Sequence, residues 1–138
     1  MEPDEPMSEN THVTIQTTKA PSPSGGYSQG LVAGNLVFVS GQGPFDPSTG
    51  EVVGSAIQEQ TQATLVNVEA VLEQAGASLS DVVKATVHLA DLGDFQAFDT
   101  TYRSFWPSGQ FPTRTTVQSV LPRIKVEIDV IAVRSGRP

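Results

Sequence analysis

The sequence predicts a two-layer α+β domain, with two helices packed on one face of a sheet. Three observations carry that expectation. Residues 55–75 and 95–106 place apolar side chains at steps of three and four, as helices do. Several shorter stretches alternate polar and apolar residues, as half-buried strands do. Their order along the chain is strands, helix, strand, helix, strands. At 138 residues the chain fits one domain with a substantial core.

The elements follow in order. Residues 1–12, "MEPDEPMSENTH", are acidic, hold two prolines and show no apolar period, so they read as a disordered tail. "VTIQT" (Val13 to Thr17) alternates as a short strand. "KAPSPSGGYSQG" is a Pro/Gly/Ser loop in which Tyr27 is the only large side chain; such a tyrosine either anchors the loop or lines a pocket. "NLVFVSG" (Asn35 to Gly41) reads as a strand covered on both faces. "DPSTG" supplies a turn, and "EVVG" returns as its partner strand.

Ser55 to Ala75 reads as a helix opened by a Ser55–Gln58 capping box and stopped by Gly76. Ile57, Thr61, Leu65, Val68 and Leu72 form its apolar face, and Gln60, Asn67 and Gln74 its solvated one. "DVVKATVHLAD" (Asp81 to Asp91) is a strand with Val83, Ala85, Val87 and Leu89 on one side. Lys84, Thr86 and His88 lie on the other, where His88 is a surface or satisfied strand histidine. Asp94 is an N-cap candidate for the second helix, whose Phe95, Phe98, Tyr102 and Phe105 make an aromatic core stripe. Arg114 to Val120 and Lys125 to Val133 are strands, and the short "LPRI" link between them implies an antiparallel hairpin.

Composition excludes several functions. The formal charge is −7, and residues 1–10 hold four of the acids and no base, leaving eleven acids against eight bases. Such a surface lacks the basic patch that a nucleic-acid binder needs. No apolar run reaches the ~20 residues of a membrane helix. No basic-then-apolar N-terminal segment marks a secretory signal, which leaves the cytoplasm as the expected location. With no cysteine there is no thiolate nucleophile or disulfide, and the two histidines, His12 and His88, lack metal-site spacing. No metal site is expected.

Arg114 raises the functional question, because a charge is costly to bury on a strand without a partner. In a hairpin turning at Pro122 and Arg123, residue 114 pairs with 131, 116 with 129 and 118 with 127. Arg114, Thr116 and Gln118 then share a polar face with Glu127 and Asp129. Two readings stay open. One is a solvated ion pair worth under ~1 kcal/mol. The other is a small-molecule site in which a guanidinium grips a carboxylate and a nearby acid orients water.

From about Thr18 to Val133 the chain resembles the Rid family of reactive-intermediate deaminases, also called the YjgF family. The resemblance runs through "APSPSGGYSQG", "VFVSGQGPFDPSTGEVVG", "IQEQTQATLVNVEAVLEQAGASLSDVVKATVHLADLGDF", "FPTRTTV" and "VEIDVIAV", in the family's order and spacing. It implies a chorismate-mutase-like α+β fold with a mixed sheet, assembled as a homotrimer with sites in clefts between subunits. It implies that Arg114 binds the substrate carboxylate and that Glu127 places the attacking water, with Tyr27, Ser40 and Gly41 near the ligand. Thr116 stands where many family deaminases carry cysteine. "GGY" replaces the usual "GPY" at Tyr27, and the segments flanking Arg114 are short, which bears on substrate range.

The reaction so implied is cofactor-independent hydrolysis of 2-imino acids, such as 2-iminobutanoate and 2-iminopropanoate, to 2-keto acids and ammonia. Two other expectations stand beside it. One is a specialised enzyme of the same fold acting on a larger imine or enamine, of the aminomuconate type. The other is a ligand-binding trimer without turnover, although Arg114 and Glu127 together favour an enzyme. The acidic charge disfavours the endoribonuclease label also attached to the family.

Overall fold

The computed structural model describes residues 12–134. Among these residues six strands and two α-helices follow one another, with short 3-10 turns at Leu79–Asp81 and Leu92–Asp94: β1 (His12–Ile15), β2 (Gly30–Ala33), β3 (Leu36–Gln42), α1 (Ile57–Gln74), β4 (Val82–Leu89), α2 (Phe95–Arg103), β5 (Thr113–Gln118) and β6 (Val126–Val133). The strands form one six-stranded sheet in the order β1-β2-β3-β6-β4-β5, and α1 packs against β3, β6 and α2. The α+β architecture and the mixed sheet expected from the sequence are what the structure shows. The proposed tail lies outside the described residues apart from His12, which opens β1. Among the described residues no helix is long and apolar enough to cross a membrane.

The core lies between α1, α2 and one face of the sheet. Leu65, Val68, Val71 and Leu72 of α1 and Phe98 of α2 are fully buried, and so are Ala85, Val87, Leu89, Val126 and Ile128 beneath them. On β4 and β6 the buried residues alternate with half-exposed ones, as strands covered on one face require. A bulge between Val82 and Lys84 turns Val82 inward and leaves Val83 exposed, which reverses the expectation for Val83.

The largest correction concerns the last two strands. β5 and β6 do not pair with each other. β6 sits between β3 and β4, antiparallel to both, and β5 lies outside β4 in parallel register. The side chains explain the choice. Val126, Ile128, Val130 and Ala132 all reach the core from β6, which suits a central strand. "TRTTVQ" offers no such row and forms the edge.

Smaller differences have equally local causes. Only Gly30 of β2 belongs to the expected loop, and no element is expected at Leu31 to Ala33; β2 forms a hairpin with β3 through Gly34 and Asn35, with Gly34 at φ 62°. That Gly-Asn pair between apolar runs is the signal for it. "EVVG" contributes one bridge, Phe45 to Val52, and no strand. At the start of α1 the backbone N–H groups of Ser55 and Ala56 donate to Glu59 Oε1 at 3.0 and 3.1 Å, in place of the expected Ser55–Gln58 box. Gly76, at φ 80°, ends the helix as expected. Asp94 makes no side-chain cap; Asp91 instead accepts from Gly93 N at 2.8 Å.

Two residues assigned to the solvated face of α1 are buried. Asn67 Nδ2 donates to the carbonyls of Gly43 and Phe45, both at 2.9 Å. Gln60 Nε2 donates to Gly54 O at 3.1 Å, while Gln60 Oε1 accepts from Lys125 N at 2.8 Å. The loops after β3 and before β6 therefore cover this side of the helix. Amides can be buried there because each finds backbone partners.

Candidate functional site

The sequence-derived site residues fall into two groups. Tyr27, Ser40, Gly41 and Glu127 gather on the open face of the sheet, opposite the helices. Together with Asp129 and Phe38 they line a cleft of about 660 Å³. Arg114 and Thr116 lie on the other face. In the β4–β5 register Arg114 is beside Ala85 and Thr116 beside Val87, both core residues. Glu127 is beside His88, whose side chain is on the open face. The shared polar face expected for Arg114 and Glu127 does not exist, because it rested on a hairpin that does not form.

The open-face cleft is built on a bulge. Val39 pairs with Val130 and Gln42 with Ile128, so Ser40 and Gly41 together oppose Asp129. The bulge brings the β3 backbone against Glu127. A Cβ on Gly41 would stand 2.5 Å from Glu127 Oε2, so any side chain there would displace the carboxylate from its present position. Ser40 Oγ donates to Ser28 O at 2.5 Å and ties the Tyr27 loop to β3.

That loop is held by a residue the sequence reading passed over. Gln29 is buried; its Oε1 accepts from Thr17 N at 2.7 Å and its Nε2 donates to the carbonyls of Thr17, Ala20 and Pro21. Tyr27 itself is half-exposed, and its hydroxyl accepts from Ser24 N at 3.2 Å. It both borders the cleft and fastens its own loop. A second recess, of about 530 Å³, shares Tyr27, Gly41 and Glu127 and runs on towards Phe45 and Arg123. The Arg123 guanidinium lies 5.4 Å from the centre of the Phe45 ring.

A polar row continues across the open face. His88 Nδ1 is 2.8 Å from Ser119 Oγ, and His88 Nε2 is 3.8 Å from Asp129 Oδ2. Burial pushes the Asp129 carboxyl above its ordinary value, against the charges of His88 and Lys84. His88 is thus a partnered strand histidine, one of the two roles expected for it.

Arg114 occupies a recess of about 250 Å³ at the edge of the other face, with Asp99, Tyr102, Arg103, Phe111 and Pro112. Arg114 Nη1 donates to Asp99 Oδ1 at 2.7 Å, and both side chains are about one-fifth exposed. Arg103 Nε donates to the other oxygen of Asp99, at 3.0 Å. One carboxylate thus bridges two guanidinium groups. Burial works against its ionisation, but the bonds from Arg114 and Arg103 hold the Asp99 carboxyl below its ordinary value.

The aromatic stripe of α2 packs in the core and also flanks this arginine. The Arg114 guanidinium carbon lies 4.7 Å from the Tyr102 ring centre, 5.4 Å from Phe95 and 5.5 Å from Phe98. Such stacking favours a cation that is partly out of water. Asp99 escaped the sequence reading because it sits between the aromatic positions and carries no pattern of its own. Its spacing of four from Arg103 on a helix was the available signal.

Comparison with known proteins gives the family of the fold. The family model described as Endoribonuclease L-PSP matches residues 17–134. The crystal structure of the YjgF gene product of E. coli superposes with a TM-score of 0.83 at 40% identity, covering 88% of this chain and 98% of that one. The chain belongs to the Rid, or YjgF, family. Another Rid-family neighbour, E. coli TdcF with bound serine, superposes with a TM-score of 0.84 at 41% identity, over 89% of this chain and 99% of that one. Among curated relatives, the 2-iminobutanoate/2-iminopropanoate deaminase of E. coli strain K12 is 42% identical over 125 residues. That match spans 88% of this chain and 97% of the relative.

Proposed function

We propose that the protein is an enamine/imine deaminase that hydrolyses 2-imino acids to 2-keto acids and ammonia in clefts between the subunits of a homotrimer. The observation that carries this reading is the placement of Arg114 and Glu127 on opposite faces of one sheet, each beside its own recess. A single subunit cannot bring both to one small substrate. Two copies can, if the open face of one meets the β5 edge of another. The open face also leaves Leu36 and Phe38 more than one-third exposed, as expected of a surface covered on assembly.

In this cleft Arg114 grips the substrate carboxylate, which fixes the imine carbon in place. Thr116, two residues along the same face of β5, approaches the substrate from the same subunit. Tyr27, Ser40 and Gly41 wall the opposite side. Glu127 orients a water and takes its proton as the oxygen bonds to the imine carbon. The proton then passes to nitrogen to give a carbinolamine; Glu127 next moves the carbinolamine hydroxyl proton to the same nitrogen, so that the C=O bond forms as the C–N bond breaks and ammonia leaves a 2-keto acid. The imine is already electrophilic, so positioning supplies most of the rate and these residues suffice without a cofactor. The 42% identity to the 2-iminobutanoate/2-iminopropanoate deaminase supports this substrate class.

A second reading, a larger imine or enamine, is favoured by the recess of about 530 Å³ that extends from Glu127 to Phe45 and Arg123. The test of both is direct. 2-Iminopropanoate or 2-iminobutanoate is generated in situ with a serine or threonine dehydratase, and its disappearance is followed with and without the protein. The expected result is faster loss with wild type, and loss close to buffer with Arg114→Ala. Wild type no faster than buffer removes the small-substrate reading; Arg114→Ala equal to wild type removes Arg114 as the anchor.

A further inference from the structure

Tyr102 is 2% exposed, and its hydroxyl, which faces the Arg114 side chain, is one of three buried side-chain oxygens that make no well-aligned hydrogen bond among the described residues. The other two, on Thr61 and Thr64, are buried on α1. Tyr102 differs from them because it lines the Arg114 recess. A buried hydroxyl left unsatisfied is costly, and phenylalanine would fill the same space, keep the ring contacts and avoid that cost. The ring contacts are close: 4.6 Å between the centres of Tyr102 and Trp106, and 5.4 Å between Tyr102 and Phe98. Packing alone therefore accounts for the ring and leaves the oxygen unexplained.

The surroundings say what the oxygen can do. Of the three rings around Arg114, that of Tyr102 is nearest to its guanidinium. A guanidinium has five N–H donors, and the Asp99 contact uses one, on Nη1. Burial pushes the phenol up to about 12, the Asp99 charge adds to the rise, and the charge and side-chain hydrogen bonding of Arg114 oppose it, so the hydroxyl faces Arg114 and stays neutral at physiological pH. A neutral phenol can accept one N–H and donate its own proton at the same time.

We propose that Tyr102 is a positioning residue of the carboxylate grip. Its ring carries the Arg114 guanidinium. Its hydroxyl accepts an Arg114 N–H when a bound carboxylate competes with Asp99 for the guanidinium. The orphaned oxygen is then the partner that keeps Arg114 aligned through that exchange. The inference rests on reading Arg114 as the anchor for a substrate carboxylate.

The experiment is a double-mutant cycle on the full chain with wild type, Tyr102→Phe, Arg114→Ala and the double variant. Three quantities are read: the Kd of 2-oxobutanoate by calorimetry, KM and kcat in the coupled deaminase assay, and the thermal midpoint. In Tyr102→Phe, Kd and KM are expected to rise about 5- to 10-fold, as for one hydrogen bond to a charged group. Its kcat should stay within about two-fold and its midpoint should be unchanged or higher, since only an unpartnered oxygen is removed. In the Arg114→Ala background the same change should weaken binding no further.

Unchanged Kd and KM in Tyr102→Phe overturn the proposal, and so does equal weakening in both backgrounds. A Tyr102→Phe protein that fails to fold also overturns it, because the hydroxyl would then hold the structure itself. If wild type binds 2-oxobutanoate through Arg114 but shows no turnover, the deaminase reading falls and this inference stands. If Arg114→Ala binds as tightly as wild type, the anchor reading falls and takes this inference with it.

Discussion

The Glu127 cleft and the Arg114 recess are built by opposite means. Around Glu127 the backbone does the shaping: a bulge carries Gly41 against the carboxylate, and a buried glutamine fastens the facing loop. Around Arg114 side chains do the shaping, with three aromatic rings and a carboxylate enclosing a charged group on an edge strand. A backbone-shaped cleft tolerates few changes in volume but exposes its acid to solvent and substrate. A side-chain-shaped recess holds its cation in one direction and leaves it poised at the protein's edge. The roles proposed above, an acid that meets water and a cation that is aimed, suit these two constructions.

The sharpest way to break the comparison is to separate the two halves onto different subunits. Arg114→Ala and Glu127→Gln are each expected to lose on the order of 100-fold or more in kcat/KM, the scale of a lost charged anchor or general base. If the chain assembles as the proposed trimer, unfolding the two inactive proteins together and refolding them at random should give both groups back to about a quarter of the clefts, and activity with them. Activity that stays at the level of the separate variants would show that both groups act within one subunit.

Gly41→Ala tests the backbone-shaped side. Its Cβ would meet Glu127 Oε2 at 2.5 Å and push the carboxylate away. The expected loss in kcat approaches that of Glu127→Gln, on the order of 10- to 100-fold for a displaced base. Adding Gly41→Ala to Glu127→Gln should cost little more. Equal losses in both backgrounds would mean that Gly41 matters for another reason.

Asp99→Ala tests the side-chain-shaped one, with a smaller effect. Arg114 and Arg103 lose their common partner, which should destabilise the fold by about 1–2 kcal/mol in thermal or urea denaturation. The pH dependence has a definite sign. The Asp99 carboxyl is held below its ordinary value, so its contribution is present above roughly pH 4 and is lost as pH falls through the folded-state value. Wild type and Asp99→Ala should therefore differ at neutral pH and converge in acid. A constant difference across that range would assign the effect to packing and not to charge.

Much of the fold was legible because it repeats. α1 and α2 show the helical period, and β3 and β4 carry apolar runs or alternation, so their existence follows from pattern. Pairing is another matter. β5 and β6 adjoin in sequence across a short link, yet β6 occupies the middle of the sheet, and nothing in the link reports that choice. The arithmetic that put Arg114 beside Glu127 failed at that step, although the family resemblance had already suggested sites between subunits. The buried and half-buried polar residues were the least legible. Gln29, Gln60, Asn67 and Asp99 each hold a loop or a partner side chain, but a single polar residue has no period to betray its role.

The central position of β6 has a consequence for how the molecule comes into being. β6 joins β3 to β4, so the two halves of the sheet remain separate until the last of these strands has been synthesised. During translation β1 to β3 and α1 leave the ribosome with the β3 edge unpaired and the part of α1 that packs on β6 uncovered. The nascent chain must wait in that state, open to chaperones and to mispairing with its neighbours. A truncation just before Val126 would leave that edge open and take Val126, Ile128, Val130 and Ala132 out of the core.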